Sequence, residues 1–177
     1  MRKLKNEELN RLNINEYKNV AKNPVMLVLD NVRSLNNIGS IFRTADAFRI
    51  EGIYLCGITG TPPDREIHKT ALGATESVNW KYFHNTMEAV IELKKANYMI
   101  ISVEQTENSK KLNKYIADDN RKFALILGHE IHGVDQEIIN ISDISLEIPQ
   151  FGTKHSFNIV VSVGIVLWDL LNKIKKL

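Results

Sequence analysis

The sequence predicts an α/β fold with a mostly parallel sheet, on three observations. Short, continuously apolar runs recur along the chain, helical segments separate them, and polar loops follow several of them. A short apolar run bounded by turn signals fits a strand buried on both faces, as in a parallel sheet. Strand–helix alternation is the pattern of βαβ units.

Taken in order, residues 1–22 read as a polar N-terminal helix and linker anchored by Leu4, Leu9, Leu12 and Ile14, an extension ahead of one domain spanning 23–177. After Pro24, Val25 to Leu29 (VMLVL) is the first buried strand. The next segment places Ile38, Ile41, Phe42 and Ala45 on one helical face behind an asparagine-rich start suited to capping. A strand from Gly52 to Cys56 leads into a Gly/Thr/Pro loop, a helical turn (REIHKTAL), and the strand-like VNWKYF. Thr86 to Lys95 reads as a helix, Tyr98 to Val103 and Phe123 to Leu127 as strands, Asp135 to Asn140 as a short helix and Ile144 to Ile148 as a strand. The closing helix is expected from about Ser156 to Lys175.

At 177 residues, 44% hydrophobic and 25% charged, the chain suits one globular domain with a core that needs no staples. A single cysteine, Cys56, precludes an intramolecular disulfide and points to a reducing cytoplasm. The charged start MRKLKNEELNRLN has no apolar core of a secretory signal. The run from Ile159 to Trp168 is far shorter than the about 20 apolar residues a membrane span needs. A net charge of +2 permits nucleic-acid binding without demanding it.

In parallel sheets ligands sit beyond the carboxyl ends of the strands. Three polar loops follow strands here, at 30–37, 128–134 and 149–156, and are expected to converge. In the segment that continues the first, Asn37 to Arg43, Gly39 lets another backbone approach and the helix start offers free N–H groups, while Arg43 lies roughly 140° around the helix from Ile38. The second, Leu127 to Val134, brackets Glu130 between two histidines and two glycines, Gly128 and Gly133. His129 and His132 are three apart on a loop, not four apart on a helix, and no further ligands cluster nearby, so no metal is expected. In the third, Ser156 and Asn158 stand at the expected buried start of a core helix, where an unpaired polar group is costly. The chain has no G-x-G-x-x-G, P-loop or G-x-S-x-G segment, which removes the usual dinucleotide, phosphate-loop and serine-hydrolase readings. Cys56, among apolar neighbours, reads as a core thiol.

Together the segments Asn37-Ile38-Gly39…Arg43, Gly128-His129-Glu130-Ile131-His132-Gly133 and Ile148-Pro149…Ser156-Phe157-Asn158 resemble the ordered motifs of the SpoU/TrmH branch of the SPOUT RNA methyltransferases. The resemblance covers roughly residues 24–172. It implies a Rossmann-like sheet whose C-terminal loops form a deep trefoil knot, an exception among folds. It implies S-adenosylmethionine in those loops, held largely by backbone at Leu127, Gly128, Gly133, Ile148, Gln150 and Phe157. It implies a homodimer, joined through the knot and the C-terminal helix, that methylates a ribose 2′-hydroxyl of tRNA or rRNA in the cytoplasm without a metal. Arg43 would serve the chemistry, with Asn37, Glu130, Ser156 and Asn158 orienting it, the substrate and the cofactor loops. Two departures stand out. Phe157 replaces the family's leucine, and no additional N-terminal RNA-binding domain precedes the motifs. RNA recognition then falls to residues 1–22, the loops, and cations such as Arg33, Arg65, Lys69, Lys110, Lys111 and Lys154. The competing expectations are a non-catalytic RNA-binding or ribosome-assembly factor of the same fold, and a plain nucleotide-binding module.

Overall fold

Val25 to Leu29 is buried at every position, and it lies in the interior of the sheet, beside the central strand. The computed structural model describes residues 1–174, so the expected end of the closing helix at Lys175 lies outside the described residues. The strands are β1 (Asn23–Asp30), β2 (Ile50–Cys56), β3 (Trp80–Phe83), β4 (Tyr98–Val103), β5 (Lys110–Lys111), β6 (Lys122–Leu127) and β7 (Ile144–Glu147). The helices are α1 (Ile14–Asn19), α2 (Leu35–Ala47), α3 (Arg65–Ala71), α4 (Ala74–Ser77), α5 (Thr86–Lys95), α6 (Gln136–Ile141) and α7 (Ile159–Lys173).

The seven strands form one sheet in the order β3-β2-β1-β6-β4-β7-β5, and every pairing is parallel. Side chains alternate across it, as the strand period requires. Val25, Leu27, Leu29, Phe123, Leu125 and Leu127 face one core, shared with α2, α3 and α7. Met26, Val28, Ala124 and Ile126 face the other, shared with α5 and α6. Helices on both faces explain why the central strands read as unbroken apolar runs.

Helix α2 starts at Ser34, whose hydroxyl accepts the Asn37 N–H at 3.3 Å, and buries Ile38, Ile41, Phe42 and Ala45. Gly39 does what a close approach demands. A Cβ there would stand 2.3 Å from the Ile67 carbonyl oxygen of α3.

Three expectations are corrected. The closing helix begins at Ile159, not Ser156, because Asn158 is extended (φ −60°, ψ 138°) and caps it, its Oδ1 accepting the Val160 N–H at 2.8 Å. Ser156, Phe157 and Asn158 are therefore exposed loop residues, and the burial argument for a polar pair inside the core fails. Near the N-terminus the helix is only α1, preceded by a 3-10 turn at Asn6–Leu9. Leu4, Leu9, Leu12 and Ile14 are exposed, and Tyr17 packs into the core instead. The two-residue strand β5 had no sequence signal, since Lys110 and Lys111 are exposed and carry no apolar alternation.

Candidate active site

The parallel strands all end on one edge, and the loops leaving β1, β4, β6 and β7 meet there. Glu130 fastens two of them. Its carboxylate accepts the backbone N–H groups of Arg33 at 3.1 Å and Ser34 at 3.0 Å, and the Asn37 amide at 3.2 Å. Burial acts to raise the Glu130 carboxyl, but these bonds and one from its own backbone outweigh it and hold the group below its ordinary value. The third loop joins through Asn158, whose amide donates to Asn37 Oδ1 at 3.4 Å while its Oδ1 caps α7. The cap and the site contact are one residue.

The loop after β6 closes on itself. His129 and Gly133 exchange backbone hydrogen bonds of 3.0 and 2.8 Å, and the His129 ring nitrogen Nδ1 accepts the Ile131 N–H at 3.0 Å. A side chain at Gly128 would meet the Gly133 carbonyl carbon at 2.0 Å, so only glycine allows this fold-back. His129 is thus occupied with its own loop. Among the described residues, no group of three or more His, Cys, Asp or Glu is placed to hold a metal ion.

Between these loops lies a cavity of about 530 Å³, within the range of small-molecule sites. Leu127, Gly128, Gly133, Ile148, Gln150 and Phe157 all line it, as do Glu130, Ser156 and Asn158. Asn37 reaches it through its bonds to Glu130 and Asn158. Arg43 does not. It is exposed on α2 and lines a different cavity of the same chain.

The lining has a definite charge. It includes Glu104, Glu130 and Glu147, with His129, His132 and His155 and no lysine or arginine, beside the apolar Leu127, Ile148 and Phe157. Such a site favours a flat ligand with a positive centre and disfavours a polyphosphate.

The β4 exit was missed by the sequence reading. Glu104 accepts the Val134 N–H at 3.2 Å, and Gln105 donates its amide to the His155 carbonyl at 2.8 Å, tying the β7–α7 loop down. Its signal was available: Glu104-Gln105 directly follows the strand run YMIISV. Asp30 was also passed over. Buried at the end of β1, it accepts from Asp135 N at 2.9 Å and from Thr86, and burial raises its carboxyl. It latches α5 and α6 to the sheet.

Residues 24–168 match the model of the SpoU rRNA Methylase family. The chain belongs to that family. It is 26% identical over 166 residues to a tRNA (guanosine(18)-2'-O)-methyltransferase of Borreliella burgdorferi, covering 92% of this chain and 73% of that protein. It is 29% identical over 149 residues to the 23S rRNA (guanosine-2'-O-)-methyltransferase RlmB of Neisseria meningitidis, covering 84% of this chain and 58% of the relative. The SpoU fold is matched in the A. aeolicus TrmH/SpoU tRNA modifying enzyme, with a TM-score of 0.80 at 23% identity over 92% of this chain and 81% of that one. An AdoMet-bound rRNA methyltransferase from Sinorhizobium meliloti superposes with a TM-score of 0.78 at 24% identity, covering 88% of this chain and 59% of that one. The chain thus spans 73% and 58% of the lengths of these two curated relatives.

Proposed function

We propose that this chain is an S-adenosylmethionine-dependent methyltransferase acting on a ribose 2′-hydroxyl of tRNA or rRNA, with residues 23–177 as its single catalytic domain, residues 1–22 as an extension, and the cytoplasm as its location. The observation that carries the reading is the cavity at the strand ends. It is acidic, free of lysine and arginine, flanked by apolar side chains, and lined by all six residues matched to cofactor binding. A sulfonium-bearing nucleoside fits that charge, whereas NAD or ATP would bring phosphates against three carboxylates. The relatives' names, as tRNA and rRNA 2'-O-methyltransferases, supply the RNA substrate class and favour catalysis over a non-catalytic binding role.

S-adenosylmethionine, when bound, supplies an electrophilic methyl group. The protein's own part is positioning. Gly128 and Gly133 keep the β6 loop folded next to Leu127, Ile148 lines the cavity from the end of β7, and Phe157 offers an apolar wall. Glu130, Asn37 and Asn158 hold the α2 start and the α7 start in register, and Ser156 borders the same opening. A guanidinium is a forked cationic donor and a poor base, so the role assigned to Arg43 is to hold the RNA phosphate and the charge developing on the ribose oxygen, not to remove the proton.

Because Arg43 lies away from the cavity of its own chain, the reading requires a homodimer in which Arg43 of one protomer serves the cavity of the other. The exposed apolar face of α7, with Trp168 61% and Val161 47% accessible, supports α7 as the contact. A C-terminal trefoil knot belongs to the same proposal. It is supported by the sheet order, in which β6 inserts between β1 and β4 and the chain then returns past it to place β7 outside β4.

The test uses purified protein, methyl-labelled S-adenosylmethionine, and bulk unmodified tRNA and rRNA. Label should enter RNA with wild-type protein, and Arg43→Ala should lose at least about 100-fold in transfer, the scale of one removed charge-stabilising donor, while calorimetric cofactor binding stays near normal. Cofactor binding without label in any RNA would sink the proposal.

A further inference from the structure

Helix α2 connects two cavities of opposite charge. Its first turn, at Asn37, joins the Glu130 network beside the acidic cavity. Arg43, six residues on and about 9 Å further along the helix axis, lines a second cavity with Asp46. This cavity, about 850 Å³, lies between residues 10–17, α2, and the turn from α3 to α4. Arg11, Arg43 and Arg49 line it against one acid, Asp46. Three positive and one negative side chain leave two positive charges, equal to the formal net charge of +2 on the entire chain.

Among the described residues none of these three arginines forms an ion pair, and Asp46 instead accepts the Ser77 hydroxyl. The Tyr17 hydroxyl, in the cavity wall, is buried without a hydrogen-bond partner. Leu12 and Leu72 are 46% and 66% exposed on the rim. Leu72 also adopts a left-handed φ of 50°, a strained conformation for a leucine. Unpaired guanidiniums beside exposed apolar side chains match a phosphate chain bearing bases. The cations expected from sequence fit less well. Arg65, Lys110, Lys111 and Lys154 are exposed outside this cavity, and Lys69 lies 3.9 Å from Glu66.

We propose that this cavity binds the RNA strand flanking the methylated nucleotide. Arg11 and Arg49 take phosphates, Leu12 and Leu72 pack against a base, and Arg43 sits between this subsite and the ribose held at the acidic cavity of the other protomer. The assignment rests on the RNA-methyltransferase reading above. The acidic cavity repels phosphate, so the strand enters from the cationic side, where residues 10–14 form one wall.

The experiment compares full-length wild type with Arg11→Gln, Arg49→Gln and the double variant. The probe is fluorescein-labelled, unmodified tRNA and rRNA transcript, followed by anisotropy across a salt series, with calorimetry for S-adenosylmethionine and thermal melting as controls. Each single variant should bind RNA about three- to tenfold more weakly, and each should lower the slope of log K against log salt by about one. Cofactor binding and melting temperature should be unchanged. Wild-type RNA affinity and slope in the double variant, with methyl transfer intact, would overturn this subsite and leave the catalytic reading standing. Weakened RNA binding in the variants, with no transfer by wild type, would keep the subsite and remove the catalytic reading. Equal displacement of the RNA by tripolyphosphate at matched phosphate concentration would identify a bare anion site and overturn the strand assignment.

Discussion

Asn158 carries two duties, and its two polar atoms divide them. Its Oδ1 caps α7, and its Nδ2 reaches Asn37. Asn158→Ala should cost about 1 kcal/mol through the lost cap, which lowers the melting temperature by about 2–4 °C in a domain of this size. Asn158→Asp keeps the cap acceptor but loses the amide donor, so it should melt near wild type and still transfer methyl at least about tenfold more slowly. Full activity in Asn158→Asp would reduce the residue to a cap. The residue is legible in the sequence, but its surroundings are not. A buried amide is the expectation, whereas capping geometry starts the helix at Ile159, three residues later than Ser156, and leaves Asn158 in the open.

Glu130 makes a prediction about pH. Its carboxyl is held below its ordinary value in the folded chain by the bonds to Arg33, Ser34 and Asn37, against the opposing effect of burial. A depressed folded pKa gives stability that is fully present above the unfolded carboxylate range and is lost as pH falls through the folded value. The melting-temperature difference between wild type and Glu130→Gln should therefore be constant at neutral pH and shrink below about pH 4. A difference that grows on acidification would mean that Glu130 is not the anionic clasp described. His129 was legible as a loop residue and not as a ligand, but its Nδ1 bond to the Ile131 N–H depends on loop closure that spacing alone does not encode.

Elements with a single strong period were read almost to the residue. The α5 and β4 boundaries agree at both ends, since Asn85 caps α5 and continuous apolar runs define β4. Elements set by distant partners were not. β5 exists because Lys110 and Lys111 pair with Leu146 and Glu147, and no local pattern marks it. Helix α7 shows a further limit. Its inner residues Val163, Val166, Leu167 and Leu170 fill the core, while Trp168 stays on the surface. Under the dimer proposal this face is covered, so Trp168→Glu should give a folded monomer by sedimentation and near-zero transfer. A wild-type monomer, or a variant that remains dimeric, would contradict that arrangement.

At the scale of the molecule, the sequence made the parallel sheet and the convergence of three loops legible, because both follow from local apolar runs and from where chains must leave a sheet. It did not reveal the charge of the two cavities. Glu104 follows β4 and Glu147 ends β7, while Arg11, Arg43 and Arg49 come from the N-terminal arm, α2 and the turn after α2, so their grouping depends on tertiary packing. Under the proposals above, that division gives the molecule a direction, with the acidic cavity for a cationic cofactor and the cationic cavity for phosphate. The account stands or falls on where the methyl group goes. RNA methylated by the purified protein, digested to nucleosides and resolved by mass spectrometry, should carry its new methyl on a ribose 2′-oxygen. A methyl found on a base, with the ribose unmodified, would contradict the assignment of this site to 2′-hydroxyl chemistry.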